Sequence, residues 1–107
     1  MNSKDAIVAL AALAQESRLV VFRLLVQVGP AGIAASKIDE QIGVPTSSLS
    51  FHLKELTHAG LVSQERQGRN LIYRAAFDQM SALLGYLTDN CCEGEPCLPS
   101  STAGCAC

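Results

Sequence analysis

The stretch PTSSLSFHLKELTHAGLV, residues 45–62, decides how the rest of the chain is read. Leu49, Leu53 and Leu56 fall at i, i+4 and i+7, the spacing of one helical face. Pro45 suits a helix start, because its missing N–H would have no partner there in any case. Ala59-Gly60 is a stop signal, so the spacing predicts a helix from about Thr46 to His58. Opposite the leucines, Ser47, Phe51, Lys54 and His58 cluster, with Ser48 and Ser50 beside them. His52 lies roughly 60° from the leucine stripe and is expected to be half-buried, with one ring nitrogen toward phosphates. A short, polar, weakly basic face of this kind fits a DNA major groove.

Outward from this helix, the chain reads as helices on one side and a hairpin on the other. Leu61 to Glu65 alternates as a strand, Gln67-Gly68-Arg69-Asn70 makes a turn, and Leu71 to Arg74 returns. Arg66 and Arg69 sit at the tip, where they can reach phosphates or the minor groove. Upstream, Ile38 and Ile42 lie one turn apart on a helix over Ala35 to Ile42, joined to the next by Gly43-Val44-Pro45. Ser17 can cap a preceding helix that runs to Val28 with a buried stripe of Val21, Leu24, Leu25 and Val28. Gly29-Pro30-Ala31-Gly32 stops it. A first helix over Lys4 to Ala14 has Ile7, Leu10, Ala11 and Ala14 at helical spacing, and a last one over Phe77 to Thr88 carries Met80, Leu83, Leu84 and Leu87 on one stripe. Two short helices with a glycine turn occur in many folds. An arginine-tipped hairpin directly after them is much rarer, and the combination predicts a mainly α, winged helix-turn-helix domain that binds DNA.

The chain has 107 residues, 49% of them hydrophobic but only three Phe, two Tyr and no Trp. That bounds it to one domain with a small aliphatic core, and domains of this size often gain stability from an oligomer interface. A homodimer is therefore expected. The longest apolar run, Ala6 to Ala14, is far short of the ~20 residues of a membrane span. The start, Met1-Asn2-Ser3-Lys4-Asp5, lacks the layout of a secretory signal, so a cytoplasmic location, with thiols kept reduced, is expected. The net charge of -2 argues weakly against a nucleic-acid binder, but its distribution matters more. Residues 46–75 carry Lys54, Arg66, Arg69 and Arg74 against Glu55 and Glu65, whereas residues 76–107 carry Asp78, Asp89, Glu93 and Glu95 with no Lys or Arg. Two copies of the basic middle could grip phosphates despite the overall sign.

The run Ser48 to Val62, then Arg66-Gln67-Gly68-Arg69 and Tyr73, resembles the ArsR/SmtB family of metal-responsive repressors. The stretches Leu13-Ala14, Arg18-Leu19 and Phe22 to Leu25 match that family's second-helix pattern, and the likeness covers about residues 7 to 92. It implies a winged-helix homodimer whose first and last helices form the interface. It further implies that the unliganded dimer occupies a palindromic double-stranded operator until a metal or metalloid weakens its hold. Two positions depart from the pattern. Pro45 stands where many members have a capping Ser, and Phe51 where a polar or basic reader is common. The implied DNA contacts are Ser47, Ser48, Ser50, Phe51, His52, Lys54, His58, Arg66 and Arg69.

Within that family the sensing site moves about. The Cys-x-Val-Cys pair of some arsenic sensors has no counterpart in Ser36-Lys37-Ile38-Asp39. The Asp and His pairs of zinc sensors have none on the last helix, which carries Asp78 and Asp89 but no His. All five cysteines lie in the last 17 residues: Cys91, Cys92, Cys97, Cys105 and Cys107. Trivalent arsenic takes three thiolates from one side, and soft thiolates select soft ions. The loop Glu93-Gly94-Glu95-Pro96 would let Cys97 fold back over the Cys91-Cys92 pair. A subset of the family's arsenic sensors has a Cys-Cys pair after the last helix and a third Cys a few residues on. The resemblance thus implies an As(III) inducer site at Cys91, Cys92 and Cys97, with Cys105 and Cys107 as extra candidates.

Other readings stay open at this point. Four thiolates would suit zinc, cadmium or lead. The cysteines could also be redox sensors, could form disulfides, or could take methylated rather than inorganic trivalent arsenic. His52 and His58 could be ligands, although a packed or DNA-facing role suits a recognition helix better. A thiol-dependent enzyme would need an activated Cys in an electropositive pocket, whereas these thiols sit in an acidic segment, so no enzymatic activity is expected. A metal carrier would need neither recognition helix nor wing. The chain divides into a DNA-binding and dimerisation domain over 1–92 and a Cys-rich segment over 93–107, expected to be mobile from its Gly, Pro and Ser content.

Overall fold

Alternating apolar and helix-breaking stretches produce five helices and a small sheet in the computed structural model, which describes residues 1–43 and 46–89, with only the backbone of Thr46 and Ser47. In chain order these are α1 (Ser3–Leu13), α2 (Glu16–Val28), β1 (Ile33–Ala34), α3 (Ala35–Ile42), α4 (Thr46–His58), β2 (Val62–Gln67), β3 (Asn70–Ala75) and α5 (Phe77–Leu87). The mainly α, winged helix-turn-helix reading holds. Pro45, the segment 93–107 and all five cysteines lie outside the described residues. None of the described helices is long and apolar enough to cross a membrane.

The core is aliphatic, as the composition requires. Val21, Leu25, Ile38, Leu53, Leu56 and Leu61 are almost wholly buried, and Leu49, Phe22, Val62 and Tyr73 complete the cluster. The α4 leucines face inward on α2 because their i, i+4, i+7 spacing forms one stripe. α3 ends at Gly43, which adopts the left-handed conformation (φ 71°) that a β-carbon would strain.

The α1 reading needs correction. Its buried face is Ala6, Ala9 and Ala12, while Ile7 is 63% exposed and Val8 and Leu10 also face out. A face of alanines lets a helix lie close to its neighbours, since interaxial distance follows side-chain size, and α1 packs on α2, α4 and α5. The α5 stripe also divides. Leu83 is buried and Met80 packs on the core, but Leu84 is 56% exposed and Leu87 nearly as much. On α2, Val21 and Leu25 are buried as expected, whereas Leu24 and Val28 are only partly so, and Phe22 joins the core.

The cap of α2 is Gln15, not Ser17. Gln15 is extended, and its side-chain oxygen accepts the Arg18 backbone N–H at 2.9 Å. The chain leaves α1 at Ala14, so the helix restarts two residues earlier and Ser17 falls inside its first turn. Asn2 does the same for α1, accepting from the Asp5 N–H at 2.8 Å.

The sheet runs β1-β3-β2 and is antiparallel throughout. The hairpin is longer than its sequence suggests. Pairing extends from Val62↔Ala75 to Gln67↔Asn70, which leaves only Gly68-Arg69 as the turn. β1, with Ile33 opposite Tyr73 and Ala34 opposite Ile72, has no sequence signature, because two residues cannot display an alternation. Gly32 makes it possible. Its φ is +77°, and a β-carbon there would stand 2.7 Å from the Arg74 and Ile72 side chains and 2.9 Å from the Tyr73 carbonyl oxygen.

Candidate nucleic-acid interface

Because its leucines are turned into the core, α4 presents the opposite face outward. Ser50, Phe51, Lys54 and His58 are exposed and Ser48 is half-buried, while the Ser47 side chain lies outside the described residues. On the hairpin, Arg66 near the end of β2 and Arg69 in the turn are both exposed. Between helix and hairpin runs a cleft of about 320 Å³ lined by Ser50, Lys54, Thr57, His58, Gln64 and Tyr73. Helix face and hairpin therefore share one polar, basic surface.

His52 departs from its expected place. It is 8% exposed, and its Nδ1 is buried without a hydrogen-bond partner. The reason is its register: His52 stands three residues after Leu49 and four before Leu56, so it borders the stripe that packs inward. Its ring meets the Phe51 ring edge-on at 5.7 Å. Arg18 from α2 approaches the same phenyl ring, its guanidinium carbon 6.0 Å from the centroid. Arg18 is absent from the candidate contact residues of the sequence analysis, because nothing in the local pattern of α2 connects it to α4.

Arg74 was counted with the basic patch, but the structure gives it a different task. Its Nη2 stands 2.8 Å from Glu65 Oε1 across the hairpin, and its Nε donates to the Pro30 carbonyl at 3.0 Å. It thereby ties β2 and β3 to the loop before β1. Gln67 Nε2 donates to the same carboxylate oxygen at 3.1 Å. These two donors, Gln67 first and Arg74 second, hold the Glu65 carboxyl below its ordinary range. Glu65 and Arg74 thus offset one another, and Arg66, Arg69 and Lys54 are left to set the charge of the outer surface. In the hairpin register Arg74 lies opposite Ser63 and Glu65 opposite Ile72, so the ion pair is a diagonal one, two residues out of register on the same face.

Among the described residues, no three His, Cys, Asp or Glu side chains gather into a group that could hold a metal ion. Cys91, Cys92, Cys97, Cys105 and Cys107 lie outside those residues.

Comparison with known proteins follows the same lines as the geometry. The helix-turn-helix domain family matches residues 13–65, from the end of α1 into β2. No curated protein matches the chain. Among solved structures, it is similar to an ArsR-like transcriptional regulator from Rhodococcus sp. RHA1, with 27% identity, TM-score 0.70 and coverage of 78% of this chain and 76% of that one. A possible transcriptional regulator for arsenical resistance shares 30% identity at TM-score 0.64, covering 77% and 81% of the two chains. The homodimeric winged helix-turn-helix DNA-binding domain of a possible ArsR-family regulator from Mycobacterium bovis shares 27% identity at TM-score 0.64, over 90% and 89%. With its helix pair, its recognition-type α4 and its arginine-tipped hairpin, the chain belongs with the ArsR-like winged helix-turn-helix regulators.

Proposed function

We propose that the chain is a homodimeric repressor that holds operator DNA through α4 and the hairpin and lets go when trivalent arsenic is captured by the thiolates of Cys91, Cys92 and Cys97. The observation that carries the DNA-binding part is the shared outer surface. Lys54 and His58 on α4 stand beside a hairpin that exposes Arg66 and Arg69, and the leucines of α4 are turned away from it. α4 enters the major groove with Ser47, Ser48, Ser50, Phe51, Lys54 and His58 toward the bases, while Arg66 and Arg69 neutralise phosphates. His52, buried beside the leucines, supports the helix from behind.

Two observations support the dimer. The Mycobacterium bovis relative is homodimeric, and the apolar residues that α1 and α5 leave exposed need a cover. A dimer sets two recognition helices about one DNA turn apart, so a small change in their spacing weakens both contacts. The arsenic part is supported by thiolate chemistry and by the likeness to a possible regulator for arsenical resistance. Cys91 follows the last residue of α5, Leu87, by four positions. Drawing Cys97 toward Cys91 and Cys92 would bias that helix end and with it the pairing of subunits. Coupling between sites is commonly ~1–3 kcal/mol. A nearly complete switch needs ~5.5 kcal/mol, which two inducer sites per dimer can approach.

The test is fluorescence anisotropy of the reduced full-length protein on the DNA upstream of its own coding region, with arsenite added and then, separately, zinc. Arsenite at a low molar ratio is expected to release the DNA. Cys91→Ser, Cys92→Ser and Cys97→Ser are expected to bind DNA normally and ignore arsenite. Release by zinc or an oxidant alone would replace the arsenic site with a tetrathiolate or a redox pair. Normal release from the three serine variants would move the site elsewhere.

A further inference from the structure

Phe51 is the one large apolar side chain at the centre of the outward face of α4. It is 53% exposed, yet it is not loose: the Arg18 guanidinium lies 6.0 Å from its ring centroid, and the buried His52 ring meets it edge-on at 5.7 Å. The Nε of Arg18 is buried without a hydrogen-bond partner, so contact with the aromatic ring is what that end of the side chain has in its place. Two side chains from two helices therefore contact the aromatic ring, about half of which stays exposed.

A phenyl ring can offer a base pair apolar contact and no hydrogen bond of the ordinary kind. In the major groove the apolar group that a base pair presents is the C5 methyl of thymine. We infer that Phe51 reads a thymine methyl in each half-site, and that Arg18 acts as a positioning residue that holds the ring at the height where it meets that methyl. This rests on the DNA-binding reading of α4 above and adds a base preference to it. The buried His52 and the guanidinium of Arg18 supply the support an exposed ring needs.

The test begins with selection of duplexes from a randomised library by the reduced full-length protein, followed by replacement of thymine with deoxyuridine, position by position, in the selected site. Deoxyuridine pairs as thymine does and lacks only the methyl. Burial of one such group corresponds to about 0.8 kcal/mol, so uracil at that position in a single half-site is expected to weaken binding about fourfold, and in both half-sites about fifteenfold. In Phe51→Ala the thymine and uracil duplexes are expected to bind alike at that position and to keep their ranking elsewhere. In Arg18→Met, with the fold checked by circular dichroism, the thymine-to-uracil ratio is expected to narrow. Wild-type protein indifferent to uracil at every thymine would overturn the inference, as would Phe51→Ala retaining the discrimination, and in both cases the DNA-binding reading would stand. A selection that enriches no duplex would overturn both together.

Discussion

Two sets of apolar residues with the same helical spacing meet opposite ends in this molecule. On α4, Leu49, Leu53 and Leu56 are buried to the last few percent. On α1 and α5, Ile7, Leu10, Leu84 and Leu87 recur at similar intervals and stay largely exposed. The difference lies in what stands opposite. α4 faces α2 and the sheet, whereas α1 turns its alanines to the other helices and its larger residues outward. Scattered exposed leucines need no explanation, but a contiguous apolar patch marks an interaction site. The inner stripe holds one chain together, and the outer stripes are where a second copy is proposed to sit.

Five variants would break or sharpen that contrast. The largest effect is expected from Leu84→Glu with Leu87→Glu. Each leucine is already about half covered, so completing its burial corresponds to roughly 1 kcal/mol. Four such residues across a two-fold interface come to about 4 kcal/mol, or roughly a thousandfold in dimer dissociation. Sedimentation velocity should then report a folded monomer at concentrations where the parent is dimeric. A double variant that stays dimeric would place the subunit contact elsewhere.

Leu53→Ala should act on the chain itself, lowering unfolding free energy by about 2–5 kcal/mol in a denaturant titration, because the cavity it leaves is enclosed. Ala9→Leu should lose about 1–3 kcal/mol by overpacking the face where α1 lies against its neighbours. Ile7→Ala, on the opposite, exposed face of α1, should change monomer stability by less than about 0.5 kcal/mol while weakening self-association. If Ala9→Leu were neutral and Ile7→Ala severe, the assignment of inner and outer faces on α1 would be reversed.

The smallest effect belongs to the hairpin, where charge rather than burial is at work. Glu65 is exposed, and its pKa is lowered from an ordinary value of 4.5. A carboxyl depressed in the folded state adds stability that is fully present above its unfolded pKa. That contribution is lost as pH falls below about 4.5 and through the folded value. Glu65→Gln should therefore match the parent at acid pH and be slightly less stable at neutral pH, with thermal melts across that range as the readout. A pH-independent difference between the two would remove the carboxylate of Glu65 as its cause.

Much of the fold could be read before any coordinates. The bounds of α3 and α4, the inward leucines and the hairpin with Arg66 and Arg69 at its outer end all follow from local spacing. The candidate surface followed too, because the residues opposite a buried stripe on one helix have nowhere to go but outward. His52 was misplaced by its nearness to that stripe, since an angle on a helical wheel does not say how far the packing neighbour wraps around.

Periodicity and turn chemistry are properties of neighbouring residues, and they determined where the helices and strands run and that α4 has one apolar and one polar face. Which apolar face turns inward depends on contacts between residues far apart in the chain. Those contacts placed alanines rather than isoleucine and leucine on the inner side of α1. They paired a two-residue β1 with β3 across Gly32 and committed Arg74 to Glu65 and Pro30. They also brought Arg18 of α2 to the ring of Phe51 on α4, a meeting that no window of sequence contains.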